Sequence, residues 1–328
     1  MWHLLGLLTP LLVATGNLAG GWWVWTGFVF VEVLGPILDV LLGKTRQAKP
    51  PRASGRPLEA LLYVHAMLHF VALGTLLYRA SQDGMAWTTL GAALSTGLSS
   101  GVSGIIVAHE FGHRRPRSFA WWLGRANLLS VLYLHFTTEH NHQHHRLVAT
   151  DQDPASARRG ESLWAFVLRT VPGQFADALR VGAAKGGSGW SNPVLRGVGL
   201  QIALLAGIFA LGGPWVAGAF LTQAALAVFQ LEYINYIRHY GLSRAVGERQ
   251  TERHSWQTEH RWSRWTLLEL TRHPAHHLKA SLPFWQLQPY NDAPELPSGY
   301  YGCFWIAVLP PLWRRVMEGR IPEEMGAD

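Results

Sequence analysis

Between residues 109 and 145 the chain reads HEFGH and then, after a gap, EHNHQHH. Imidazoles gather there with two carboxylates, Glu110 and Glu139, and no cysteine, which is the composition of a metal site. His109 and His113 are four apart, so on a helix they share one face and can grip one ion. His140 and His144 repeat that spacing. His145 lies about 100° round the helix from His144, so the adjacent imidazoles could serve two different ions. A later string, TRHPAHH, sets His273, His276 and His277 at i, i+3 and i+4 on one turn, with Pro274 tolerated in the first turn. Imidazole suits iron among the first-row metals, whereas zinc has no redox chemistry to offer an oxidation.

The elements that must position these residues are helices in a membrane. The 328 residues are 48% hydrophobic and 15% charged, with 16 tryptophans, and the apolar residues arrive in long uncharged runs. The net charge of +7 sits in loops flanking those runs, which membrane topology explains and nucleic-acid binding does not. One cysteine, Cys303, excludes a disulfide framework, a zinc ribbon or a four-cysteine iron site within the chain.

The expected fold is all-α, a polytopic membrane protein with six transmembrane helices and a cytosolic histidine-rich region. Spans are expected over about 2–19, 21–43, 58–78, 85–108, 193–212 and 214–236, with cytosolic catalytic segments at 109–192 and 237–328, all in one membrane-embedded domain, 1–328. The turn Gly16-Asn17 through Gly20-Gly21 makes the first two spans a hairpin, and Gly212-Gly213-Pro214 suits a tight turn between the last two. The loop with Lys44, Arg46, Lys49, Arg52 and Arg56 faces the cytosol by the positive-inside rule. That sets His109 at the inner boundary of the membrane.

HEFGH, EHNHQHH, NYIRHYGL and LTRHPAHH, in this order between membrane spans, resemble the four histidine motifs of the integral-membrane alkane hydroxylases, relatives of the fatty acid desaturases. PILDVLLGK, ATDQDPASARRGES and LPSGY extend the likeness over nearly the whole chain. The resemblance implies a non-haem diiron monooxygenase of a bacterial-type inner membrane, multi-pass, with its active site near the cytosolic face. It would take electrons from a rubredoxin with its reductase and insert one atom of O2 into the terminal methyl of a medium- or long-chain alkane. Two iron ions would be held by His109, His113, His140, His144, His145, His239, His273, His276 and His277. Glu110, His135 and Glu139 would support those ligands from behind, and His142 stands outside the set. Three-motif desaturases share the other motifs, and the NYxxHYG-like string carrying His239 favours the hydroxylases over them.

Alternatives and further expectations follow from single features. A desaturase or an aryl-methyl hydroxylase would use the same centre. HEFGH alone also fits the HExxH zinc peptidases, with Glu110 as base, but those need only three protein ligands. A metal transporter would place its histidines near mid-bilayer instead of at span ends. His65 and His69, inside the third span, are expected to bond across the bundle to Glu32 or Asp39. His3, His254 and His260 are expected to be solvated. Glu259 or Asp292 is expected to replace the carboxylate that many relatives carry between the last histidines. Trp25, Phe28, Glu32 and Asp39 fall on one helical stripe, with Trp25 and Phe28 as candidate walls of a substrate channel. Lacking a flavin or nicotinamide fingerprint, the chain needs an external reductant, which Arg114, Arg115, Arg117, Arg158 and Arg159 are placed to meet.

Overall fold

A computed structural model describes residues 2–46 and 55–322; Lys49 and Arg52 of the expected basic loop lie outside them. The described residues are helical, with two isolated bridge pairs, Lys44 with His260 and Gln257 with Glu295, in place of strands. Five helices are long and apolar enough to cross a membrane. Four come first: α1 (Trp2–Ala19), α2 (Gly21–Leu42), α3 (Arg56–Asp83) and α4 (Trp87–Gly112). Two helices follow that do not qualify, α5 (Phe119–Ser130) and α6 (Leu163–Ala184), and then the fifth, α7 (Pro193–His239). Short helices α8 (Arg261–Thr266), α9 (His273–Leu278) and α10 (Tyr300–Ala307) complete the part that bears on the site.

Five helices stand where six spans were expected, because 193–212 and 214–236 form one 47-residue element. Its backbone leaves helical geometry at Gly213, with φ 77° and ψ −174°. Pro214 brings no N–H to the ladder and glycine accepts positive φ, so the tight turn expected at 212–214 is a break of one residue. A straight helix rising about 1.5 Å per residue would run roughly 70 Å over that length, more than twice a hydrocarbon core. The break therefore divides α7 into two lengths, each enough for one crossing.

The chain forms two compact units, Met1–Leu34 with Ser54–Thr137 and Gly182–Gln230, and Gly35–Ala53 with Thr138–Val181 and Leu231–Asp328. The first has an apolar centre of Val24, Leu73, Leu76, Ala92, Val216 and Phe220, against which Trp25 packs. Polar groups buried among helices need internal partners where no water reaches. Asn17 Nδ2 donates to Thr96 Oγ1 at 3.1 Å, and Gln223 Nε2 donates to the Ser130 carbonyl at 2.9 Å. The partners expected for His65 and His69 are corrected here. His65 shares a 2.9 Å hydrogen bond with Ser103 and His69 a 2.7 Å bond with Ser130, so hydroxyls answer them, not acids. Glu32 accepts instead from Gln230 Nε2 at 3.1 Å. His3 is also buried, against expectation.

Along α2 the four residues of the expected stripe all face inward, Glu32 and Asp39 buried and Trp25 and Phe28 half-buried. The helix winds as 3-10 over Gly21–Trp25, α over Thr26–Phe28, π over Val29–Leu34 and α again over Gly35–Leu42, so its angular phase slips along the way. Trp25 and Phe28 remain neighbours, edge to face at 5.8 Å. Asp39 lies within the second unit, where its carboxylate accepts from Ser263 N–H at 3.0 Å and Ser263 Oγ at 2.8 Å.

The second unit is built on a buried ion-pair network. Arg272 donates to both oxygens of Glu259, at 2.9 and 2.8 Å, and lies 3.5 Å from Glu269. Arg264 reaches the same two acids at 3.1 and 2.9 Å. All four side chains are almost wholly buried. The network spans a turn in which Leu268 and Glu269 both take left-handed backbone, φ 53° and 56°, a conformation costing L-residues roughly 1–2 kcal/mol each. The strained turn delivers Arg272 next to His273 at the start of α9. Glu259 is thus engaged with arginines, and Asp292 is exposed, so neither supplies the carboxylate expected between the last histidines. Replacing Arg272 by Met leaves two buried acids facing Arg264 alone, and thermal unfolding in detergent should show a loss of about 3–5 kcal/mol. An unchanged unfolding midpoint would show that the network carries no stability.

Candidate metal centre

Seven of the nine candidate histidines lie in the second unit, and they fall into two sets. His144, His239, His273 and His277 are buried and bring their ligand nitrogens within 4.8 Å of one another. His273 Nε2 lies 3.2 Å from His239 Nε2 and 2.8 Å from His277 Nε2. In the other set His145 Nε2 lies 3.1 Å from both His140 Nε2 and His276 Nε2. Several Nε2 atoms aimed at one point, with no carboxylate between them, suit a cation better than they suit one another.

Local winding decides which histidine joins which set. His140–His144 is a π turn, in which hydrogen bonding runs five residues back. His140 therefore meets His145 at i+5, and the expected i+4 pairing of His140 with His144 on one ion gives way. His144 and His145 fall in different sets. On α9, His277 points with His273 into one set while His276 joins the other, so the one face expected for all three is divided. His109 ends α4 with its ring 5.0 Å from that of His113, the helix's C-cap, and both belong to the first unit.

Outer nitrogens fix the tautomers that leave Nε2 free. His144 Nδ1 donates to Asp153 Oδ2 at 2.9 Å, and that carboxylate is held by Ser156 Oγ at 2.7 Å and Ala155 N–H at 3.0 Å. His144 Nε2 is buried with no hydrogen-bond partner, as a lone pair kept for a metal would be. His239 Nδ1 donates to the His254 carbonyl at 3.3 Å. Burial pushes His273 and His277 well below the usual imidazole range, helped by Arg238 beside the first and His145 beside the second. Neutral imidazoles result, the form that ligates.

The supporting residues are placed unequally. Glu110 is buried at the end of α4. His135 is buried 4.2 Å from the Tyr133 ring, and burial lowers it to about 4. Glu139, next to His140, is raised well above the carboxylate range by burial and then by Asp153, Glu232 and Asp177. His142 is exposed, bonds the Thr138 carbonyl at 3.1 Å and belongs to neither set. His254 and His260, expected in solvent, are buried against Thr251 and Thr258. Asp153 is the functional residue that spacing did not reveal. Its string, TDQDP, was legible, but its partner His144 is reached only through a turn at left-handed Ala149, φ 60°.

Membrane-crossing helices that end in two sets of imidazoles able to hold metal define a multi-pass membrane protein of the histidine-motif oxidase class. Residues 85–307 match the model of the fatty acid desaturase family. Alkane 1-monooxygenase 1 of Alcanivorax borkumensis is 35% identical over 92% of this chain and 79% of its own length, and alkane 1-monooxygenase of Ectopseudomonas oleovorans is 34% identical over 94% and 81%. The xylene/toluene monooxygenase hydroxylase component XylM of Pseudomonas putida is 30% identical over 93% and 85%. The chain belongs to the fatty acid desaturase family, among the alkane 1-monooxygenases, and is an oxidoreductase of the monooxygenase type.

Removing the Asp153 carboxylate, as Asp153→Ala, frees the His144 ring and should weaken metal binding by roughly 10–100-fold. Metal titration of the purified apoprotein measures it, and wild-type affinity in the variant would show that Asp153 does not serve His144.

Proposed function

We propose that this protein hydroxylates the terminal methyl of a medium- or long-chain alkane: R–CH3 + O2 + 2 e− + 2 H+ → R–CH2OH + H2O. The observation that carries the reading is the parting of two sequence-adjacent pairs, His144/His145 and His276/His277, between two sets in one unit. Ions held by those two sets would lie side by side, which supports a dinuclear centre. The nine histidines named above are proposed as ligands of two irons, with His109 and His113 completing the number that the motifs supply. Iron held by neutral imidazoles would supply the redox chemistry that an unactivated methyl group requires.

The protein's own residues fix the tautomers of His144 and His239 and bury most of the ligands. A rubredoxin with its reductase is proposed to supply the electrons. Both units are proposed to act as one hydroxylase domain in a bacterial inner membrane, with the centre near the cytosolic face, as the basic residues Lys44, Arg46 and Arg56 beside the spans support. An aryl methyl is the second reading, favoured by the 30% identity to the xylene/toluene enzyme. Purified protein should contain about two irons per chain, and His144→Ala or His276→Ala should abolish alcohol formation. Stoichiometric zinc without iron would overturn the assignment, and product analysis with octane, hexadecane and xylene decides between substrates.

Trp25 and Phe28, edge to face beside the apolar centre of the first unit, are proposed as a wall of the substrate channel. Phe28→Ala should extend oxidation to longer alkanes. A purely packing role would cost about 3–5 kcal/mol of stability and lower activity at every chain length alike. Yields across an alkane series, normalised to folded protein, separate the two outcomes.

A further inference from the structure

In the first unit α5 is too short to cross a bilayer, since its 12 residues rise roughly 18 Å. Arg115, Pro116 and Arg117 are exposed just before it, and Ser118 caps it by accepting from Trp121 N–H at 3.3 Å. From there the helix runs back along α4, antiparallel to it. A β-carbon on Gly124 would come within 2.9 Å of Phe111 Cβ, and Asn127 Nδ2 donates to the Gly104 carbonyl at 3.1 Å. Gly104 lies eight residues, roughly 12 Å, short of the end of α4 at Gly112.

The far end of α5 meets the middles of its neighbours. Ser130 Oγ bonds His69, which stands thirteen residues from Arg56 and fourteen from Asp83 in α3. Gln223, whose Nε2 donates to the Ser130 carbonyl, lies ten residues and so roughly 15 Å beyond the break at Gly213, half the thickness of a hydrocarbon core. All four carbonyls that a helix leaves open at its C-terminus are answered within the protein. Asn127 accepts from Ser130 Oγ at 2.6 Å, Leu128 from Tyr133 N–H at 2.9 Å, Leu129 from Leu132 N–H at 3.1 Å and Ser130 from Gln223 at 2.9 Å. On the way back Leu134 N–H donates to Gln201 Oε1 at 2.8 Å. Backbone that ends in water needs no such provision, whereas backbone that ends inside a bilayer does. Along α5, Phe119 and Trp122 are exposed, Leu123, Ala126 and Leu129 are half-buried, and the polar Asn127 and Ser130 are buried. Arg125, the one charge of the helix, folds back over the Trp121 ring at 5.1 Å, toward the helix start.

We infer that residues 119–136 form a re-entrant hairpin in the leaflet on the His109 side of the membrane. α5 descends to the middle of the bilayer with its exposed face against lipid acyl chains, and Val131–Phe136 return. This replaces, for these residues, the expectation of a segment standing wholly in the cytosol. Arg115 and Arg117 then stand at the level of the lipid phosphates, where their charge suits anionic head groups, and Phe119 and Trp122 follow them as aromatic residues do at a membrane interface. Leu132, left-handed at φ 55°, turns the chain against the apolar centre of the unit, and the Phe136 ring ends 6.4 Å from that of His109. The hairpin thus ties the middle of the bilayer to the first histidine motif. Its depth is independent of the reaction that the histidine sets perform.

The test uses full-length protein in lipid nanodiscs. On a Cys303→Ala background, Arg117→Cys, Phe119→Cys, Trp122→Cys and Ala126→Cys each carry one nitroxide spin label. Collision of the label with oxygen, which concentrates in the bilayer core, should rise from position 117 to position 126, and collision with a water-soluble nickel chelate should fall several-fold over the same four positions. Unsubstituted protein checks the result without risk to the fold: an apolar aryl diazirine dissolved in the lipid should label Phe119 and Trp122 on illumination, and a water-soluble diazirine should spare them. High chelate access at all four positions would place α5 in water. Low access of both oxygen and chelate at 119, 122 and 126 would show its face covered by protein. Either result, or labelling of Phe119 and Trp122 by the water-soluble reagent alone, overturns the hairpin.

Discussion

The second unit depends on one constraint, the balanced burial of two arginines and two glutamates around the turn before α9. Four charges taken out of water are tolerable only while each has its partner, and here Arg264 and Arg272 both reach Glu259 and Glu269. That mutual dependence locks the left-handed residues Leu268 and Glu269 into place. It also fixes where His273 begins, and so the angle at which α9 presents His276 and His277 to different sets. The metal-facing atoms are thus aimed by groups that touch no metal.

Much of this was legible in the sequence, for physical reasons. Long uncharged runs have few fates other than membrane helices, and histidines at intervals of three to five residues have few reasons to cluster other than metal. The order of the four histidine motifs by itself points to the family. What could not be read was winding. A helical wheel with 3.6 residues per turn pairs His140 with His144, whereas the π turn pairs it with His145. The same blindness missed the mixed winding of α2, where a 3-10 segment precedes Phe28 and a π segment lies between Phe28 and Asp39. Partner identity was equally hidden: Ser103 and Ser130 answer His65 and His69, and nothing local marks a serine on another helix as the acceptor.

The two units show different ways of burying polarity. In the first, single neutral hydrogen bonds join helices, as with Asn17 to Thr96 and Gln223 to the Ser130 carbonyl, and each needs only one good partner in an apolar setting. In the second, charges are gathered into networks, as around Arg272 and around Glu232, which accepts from Thr170, Gln174 and Asn235. Neutral bonds suffice to set helix register, while the networks fix direction for side chains that must converge on a point. The histidine sets lie in the unit that has the directional scaffold.

The π turn at His140–His144 also makes the second histidine motif tolerant in its letters and intolerant in its length. Asn141, His142 and Gln143 can vary, because their side chains are outside both sets. Deleting any one of them would rewind the turn toward an ordinary helix and bring a wrong pair of imidazoles into register. No later point substitution could repair that, because the fault would lie in the count of residues and not in their kinds. Along a lineage, this motif should therefore drift by replacement and almost never by insertion or loss.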